Sequence, residues 1–450
     1  MATMNSEEEI SEVSRWDFPS NFVFGVATSA YQVEGASKEG NRGDSIWDAF
    51  AHTEGKIKDG SNGDIAVDQY HRYEEDIDLM AKLGFHAYRF SISWSRIFPD
   101  GLGTEVNEKG ITYYNNVINA LLGKGIQPYV TLYHWDLPSN LHESMGGWLT
   151  EKIVKFFSIY AETCFASFGD RVKYWITINE PLQTAVNGYG VGIFAPGRSE
   201  NSSTEPYLAA RYQLLAHATA VFIYRRKFKG QQGGEIGLAV DCEWAEAFSD
   251  KMEDKIATAR RLDFQLGWFL DPIFYGDYPQ AMRERLGDRL PKFSEEEKEL
   301  LKNSVDFVGL NHYTSRYIIH VSKNLEHNDF YQDQEMQRIA EWEEGQVIGE
   351  KAASEWLYIV PWGLKKLIKY VAERYQNPPI YVTENGMDDE DDATSSLHEM
   401  LDDKMRVGYF KGYLAAVAQA IRVKSMSKHQ SSQFLPSIKT SIQKPNGSLS

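Results

Sequence analysis

A chain of 450 residues, 42% apolar and 13% aromatic, can bury more core than one ordinary domain holds, so two domains or one large α/β barrel would fit. Its formal net charge of -17 argues against nucleic acid or an anionic membrane as partner, since phosphate binding needs clustered Lys and Arg. No apolar run reaches membrane-spanning length, and a small uncharged ligand is the natural expectation.

Met1 to Ser14 is acidic and polar, without the basic start and apolar run of a secretory leader. Cys164 and Cys242 are too few and too far apart for a disulfide framework or a metal site. Together these features predict a soluble, cytoplasmic protein with a flexible acidic start over residues 1–15.

From Phe22 onward, short β-type runs alternate with segments of helical period, the pattern of parallel βα units. The predicted strands are Phe22 to Thr28, His86 to Ile92, Gln127 to Tyr133, Tyr174 to Asn179, Glu235 to Asp241, Phe307 to Asn311 and Pro379 to Asn385. Each is short and continuously apolar, as a strand buried on both faces must be. Between the first two, Tyr70, Tyr73, Ile77, Met80 and Ala81 recur at helical spacing, with Asp68 as expected N-cap and Gly84 just past the end. Ile111, Tyr114, Ile118, Leu121 and Leu122 mark the next helix, from about Asn107 to before Gly125. With no repeat and no Gly/Ser-rich linker, one large barrel domain with long βα loops is preferred to two domains. The acidic run Asp388 to Asp392 reads as solvated loop, and Asn201-Ser-Ser as an unmodified loop.

The strand ends carry residues that a purely structural strand would not need. In a barrel all C-terminal strand ends open on one face, so residues far apart in sequence converge there. They are Gln32 in Tyr-Gln-Val-Glu-Gly, Arg89, His134 and Trp135, Asn179 and Glu180, Asn311 and Tyr313, and Glu384. Amides and aromatic faces around two carboxylates suit a carbohydrate. Glu180 and Glu384 each follow an apolar strand, where an unpaired charge is costly. Arg89 is the obvious cation. A carboxylate held by Arg89 and by the Tyr313 hydroxyl stays ionised, which suits Glu384 as nucleophile. Glu180, facing that charge, is expected to hold its proton more tightly and serve as the acid, the division of labour that glycosidic cleavage needs.

Some of these residues have structural readings as well. His134 could be a satisfied core histidine, although Trp135 beside it favours sugar contact. Gln32 could be a buried structural amide and Asn311 a loop cap. Trp47, Trp94, Trp148 and Trp362 read as core or rim packing.

Three segments carry a resemblance: Phe22-Val-Phe-Gly-Val-Ala-Thr-Ser-Ala-Tyr-Gln-Val-Glu-Gly35, Ile178-Asn-Glu-Pro181 and Ile380-Tyr-Val-Thr-Glu-Asn-Gly386. The chain resembles glycoside hydrolase family 1, in its plant β-glucosidase branch, from Trp16 to about Ile421. The resemblance implies a (β/α)8 TIM barrel and a double displacement that keeps the anomeric configuration, with no metal and no coenzyme. Glu384 would attack the anomeric carbon, and Glu180 would protonate the leaving oxygen and then activate water. Gln32, His134, Asn179 and Asn311 would serve the glucose hydroxyls or the reacting centre. Relatives that cleave S-glucosides carry Gln where Glu180 stands, so an O-β-glucoside is implied, with an aromatic aglycone. Water and an acceptor alcohol remain equally open as the second reactant, and the oligomeric state is open too.

After the expected helix from Lys404 to Ile421, residues 422–450 are basic and Ser-rich, without Asp, Glu or Trp. This segment reads as a disordered tail in place of the last barrel unit. The barrel would then be truncated after its seventh unit, its first and seventh strands left with open edges, and the family's last glucose-gripping motifs lost. The alternative function is accordingly a catalytically impaired form that binds a glucoside or regulates.

Overall fold

The computed structural model describes residues 13–322, 329–342, 345–390, 396–426 and 437–438. The barrel strands are β1 (Gly25–Ala27), β2 (Ala87–Ser91), β3 (Gln127–Tyr133), β4 (Tyr174–Asn179), β5 (Glu235–Asp241), β6 (Phe307–Asn311), β7 (Ile380–Glu384) and β8 (Ser437–Ile438). All adjacent pairs in this sheet are parallel, in the order β7, β6, β5, β4, β3, β2, β1, β8. Four of the seven predicted strands coincide with those observed. β1, β2 and β7 are shorter, because the ladder stops where the backbone turns into its loop.

Both faces of the strands are covered, which explains their unbroken apolar runs. Tyr129, Ile176, Ala239, Phe307 and Tyr381 point inward and fill one end of the barrel, with Tyr129 stacked on Tyr174 at 4.2 Å. Outward residues such as Val130, Trp175, Leu238 and Val382 join the main core under the helices. The helix Lys152–Phe168 shows how sequence sets that shell. Ile153, Phe157, Tyr160, Ala161, Cys164, Phe165 and Phe168 repeat every three or four positions and are all buried. Each large side chain so buried stabilises the fold by roughly 1.5 to 3 kcal/mol.

The predicted helices appear as Gln69–Lys82 and Glu108–Gly123, but the expected cap of the first works differently. Asp68 is left-handed, at φ 59°, and its side chain caps nothing; it accepts from His71 Nδ1 at 2.6 Å. Asn107 donates its amide to the carbonyls of Gly40 and Arg96, at 2.7 and 2.8 Å, and so ties loops together.

The expectations for the C-terminus need correction. The last long helix runs Lys404–Met426, past Ile421. Within the expected strandless tail, Ser437–Ile438 pairs with Gly25 and Val26 and lies beside β7. The first strand therefore does not keep the open edge foreseen for it, and truncation after the seventh unit is not confirmed. The physical reason is that the N–H and C=O groups of β1 accept any short extended segment, and two residues carry no periodicity to read. The rest of residues 427–450, like residues 1–12 and Asp391 and Asp392 of the acidic run, lies outside the described residues. Asp388 to Glu390 are solvent-accessible loop, as expected, with Asp388 accepting from Ser354. Trp94 and Trp148 are buried and Trp362 is exposed.

Candidate active site

Arg89 sits in the middle of the constellation, 3% exposed on β2. Its three nitrogens point three ways. Nε donates to Thr131 Oγ1 on β3 at 3.0 Å, Nη1 to Glu384 Oε1 on β7 at 2.8 Å, and Nη2 to Asn179 Oδ1 on β4 at 2.6 Å. The rigid guanidinium fork thus fixes three strand ends at once. Asn311, at the end of β6, donates to Asn179 Oδ1 at 3.0 Å and to Glu180 Oε1 at 2.7 Å. Thr383 Oγ1 donates to Asn311 Oδ1 at 2.6 Å, so the orientation of that amide is set from both ends.

Glu384 and Glu180, 2% and 5% exposed, are therefore joined through Arg89, Asn179 and Asn311 on one face of the barrel. The Tyr313 hydroxyl donates to the second oxygen of Glu384. Burial, and then the charges of Glu384 and Glu180, push the Tyr313 hydroxyl well above its ordinary range, so it remains a donor. Glu384 meets a cation and a phenol; Glu180 meets a neutral amide.

His134 and Trp135 follow β3. Asn179 Nδ2 lies 3.2 Å from His134 Nε2, which joins that histidine to the network. Trp135, at φ 73°, donates from Nε1 to the Asn179 carbonyl at 3.1 Å and packs on Phe194 at 5.2 Å. Gln32 is the exception among the predicted site residues. It lies exposed on the short helix Ala30–Val33, its Oε1 accepting from Ser29 at 2.8 Å, outside the buried network.

Several participants were missed in the sequence. Thr131 and Thr383 are ordinary strand residues until the closed sheet brings them onto Arg89 and Asn311. Trp356, 42% exposed, packs edge-on against Tyr313 at 5.9 Å from an irregular loop with no motif to mark it. Tyr413, on the last helix, donates to the Tyr313 carbonyl at 3.0 Å, so that helix supports the site directly.

Residues 14–429 match glycosyl hydrolase family 1. The chain belongs to that family. This family 1 chain is 65% identical over 419 residues to Beta-glucosidase 4 of Oryza sativa subsp. japonica, covering 93% of this chain and 86% of the relative. To Beta-glucosidase 42 of Arabidopsis thaliana it is 67% identical over 408 residues, covering 90% and 83%. A solved rice β-glucosidase mutant in a covalent complex with Glc superposes with a TM-score of 0.91 at 49% identity, covering 94% of this chain and 90% of that one. The protein is a glycoside hydrolase of the β-glucosidase type. The match to residue 429 runs beyond the point near Ile421 where the resemblance was expected to stop.

Proposed function

We propose that this glycosidase hydrolyses O-β-D-glucosides with retention of configuration. Glu384 attacks the anomeric carbon while Glu180 gives its proton to the departing oxygen, which leaves as the free alcohol or phenol. Glu180, now a carboxylate, takes a proton from water, whose oxygen displaces Glu384 and releases glucose. Two carboxyl groups and water balance both steps, so no coenzyme takes part.

The observation that carries this reading is the continuous link from Glu384 through Arg89, Asn179 and Asn311 to Glu180. The guanidinium favours a charged nucleophile, and the covalent Glc of the rice relative is the kind of intermediate this route forms. A Glu rather than a Gln at position 180 supports O-glucosides, whose leaving oxygen needs a proton. The rings of Trp135, Phe194 and Trp356 support an aromatic aglycone. Asn179, Asn311 and His134 would hold sugar hydroxyls, and Gln32, in its exposed position, would meet the sugar from the rim.

A second reading, a catalytically impaired form, is favoured by one observation: among the described residues, the C-terminal segment gives the sheet only Ser437–Ile438. The two readings separate in one experiment. Incubated with 2,4-dinitrophenyl 2-deoxy-2-fluoro-β-glucoside, a working enzyme releases a burst of dinitrophenol and gains the fluoroglucosyl mass on the peptide containing Glu384. Absence of both would leave the impaired form as the function. For the acid, Glu180→Gln should slow alkyl glucosides far more than dinitrophenyl glucoside, and equal losses would remove Glu180 from that role.

A further inference from the structure

Glu180 leaves β4 at φ 46°, in the left-handed region that residues with a side chain rarely adopt. Its carbonyl then accepts from Gln183 N at 3.0 Å, so the acid side chain sits on the first residue of a tight turn. A strained turn holds its shape only when neighbours impose it.

Gln183 supplies such a tie. Its Nε2 donates to Asp241 Oδ2 at 2.8 Å, and its Oε1 accepts from Asn187 Nδ2 at 2.6 Å, which fixes the direction of the amide. Asp241 is the last residue of β5 and stands in register with Asn311 on β6. Register partners present their side chains to the same face, and Asn311 is the residue that donates to Glu180. Asp241 is 8% exposed, and its Oδ1 has no hydrogen-bond partner. A half-satisfied carboxyl group at the end of an inner strand costs stability, and an apolar residue there would serve the barrel better. Burial pushes this carboxyl up to about 6; the Gln183 hydrogen bond and the charge of Arg261 oppose that rise, while Glu243 adds to it.

We propose that Asp241 is a positioning residue: through Gln183 it clamps the turn that carries Glu180 and aims that carboxyl group at the leaving oxygen. The proposal rests on the reading of Glu180 as acid and base. The clamp matters most where proton transfer limits the rate, that is, for substrates with poor leaving groups and for hydrolysis of the glucosyl enzyme.

The test compares kcat/KM for an alkyl β-glucoside and for 2,4-dinitrophenyl β-glucoside in Asp241→Ala, Asp241→Asn, Gln183→Ala and the double alanine variant. The two alanine variants should each lose roughly 10- to 100-fold more on the alkyl than on the dinitrophenyl substrate. The double variant should be no worse than either, because both break one clamp. Asp241→Asn, which keeps an acceptor for Gln183, should recover most of the loss. Azide should speed dinitrophenyl glucoside turnover by Asp241→Ala, since it needs no base to displace the enzyme carboxylate. Gln183 is only half-buried, so its variant carries the test should Asp241→Ala fail to fold. Equal losses on both substrates, or losses that add in the double variant, would overturn the proposal alone. A wild-type chain that turns over neither substrate would overturn the reading of the site and the clamp with it.

Discussion

Arg89 and Glu384, 295 positions apart in the chain, meet at 2.8 Å with both side chains almost wholly buried. Breaking a buried pair leaves an uncompensated charge and costs about 3 to 5 kcal/mol. Arg89→Met should therefore lower the free energy of unfolding in urea by that amount as well as abolish turnover. Arg89→Lys should keep more of the fold, yet a single ammonium cannot reach Thr131, Asn179 and Glu384 together. Its kcat should fall at least roughly tenfold, and a variant with normal kcat would deny Arg89 its place in the site.

Tyr313 offers a milder change. Its hydroxyl donates to Glu384, and a hydrogen bond to a charged group contributes about 1.5 to 3 kcal/mol. Tyr313→Phe should lower kcat/KM by roughly 10- to 100-fold, with little effect on the thermal midpoint. Steady-state kinetics beside calorimetry check both halves of the expectation.

Asp136 predicts a pH dependence of stability outside the reaction itself. It is 1% exposed, and burial pushes it up to about 7, against the opposing charge of Arg42 and hydrogen bonds from the backbone at Asp136 and His134. A carboxyl group raised in the folded state binds its proton more tightly there than in the unfolded chain. Its stabilising effect is complete below about pH 4 and disappears as the pH rises through about 7, a change of about 4 kcal/mol. Asp136→Asn should therefore gain on the wild type as the pH climbs from 4 to 8. Urea midpoints across that range test it, and parallel curves for the two proteins would count against it.

At the seam of the barrel, Ser437–Ile438 covers the outer edge of β1. Deleting residues 427–450 should expose that edge, lower the free energy of unfolding by about 1 to 2 kcal/mol for the lost ladder bonds, and promote association through the bare strand. Light scattering and urea unfolding of the two forms measure this. Unchanged values would mean that the short strand contributes nothing.

Much of this protein was written locally. Strands such as Gln127–Tyr133 and Glu235–Asp241 could be bounded by eye because burial on both faces demands an unbroken apolar run with a polar end. Glu180 and Glu384 stood out for the same reason, as charges directly after such runs. What no local pattern holds is which neighbours the closed sheet brings together. The tertiary fold brings Thr383 onto Asn311 and Asp241 beside it, leaves Gln32 exposed, and makes Asn107 a tie between loops. Ser437–Ile438 is the extreme case. Two residues have no period, and their pairing follows from the unmet hydrogen bonds of β1, a partner more than four hundred residues away in the chain.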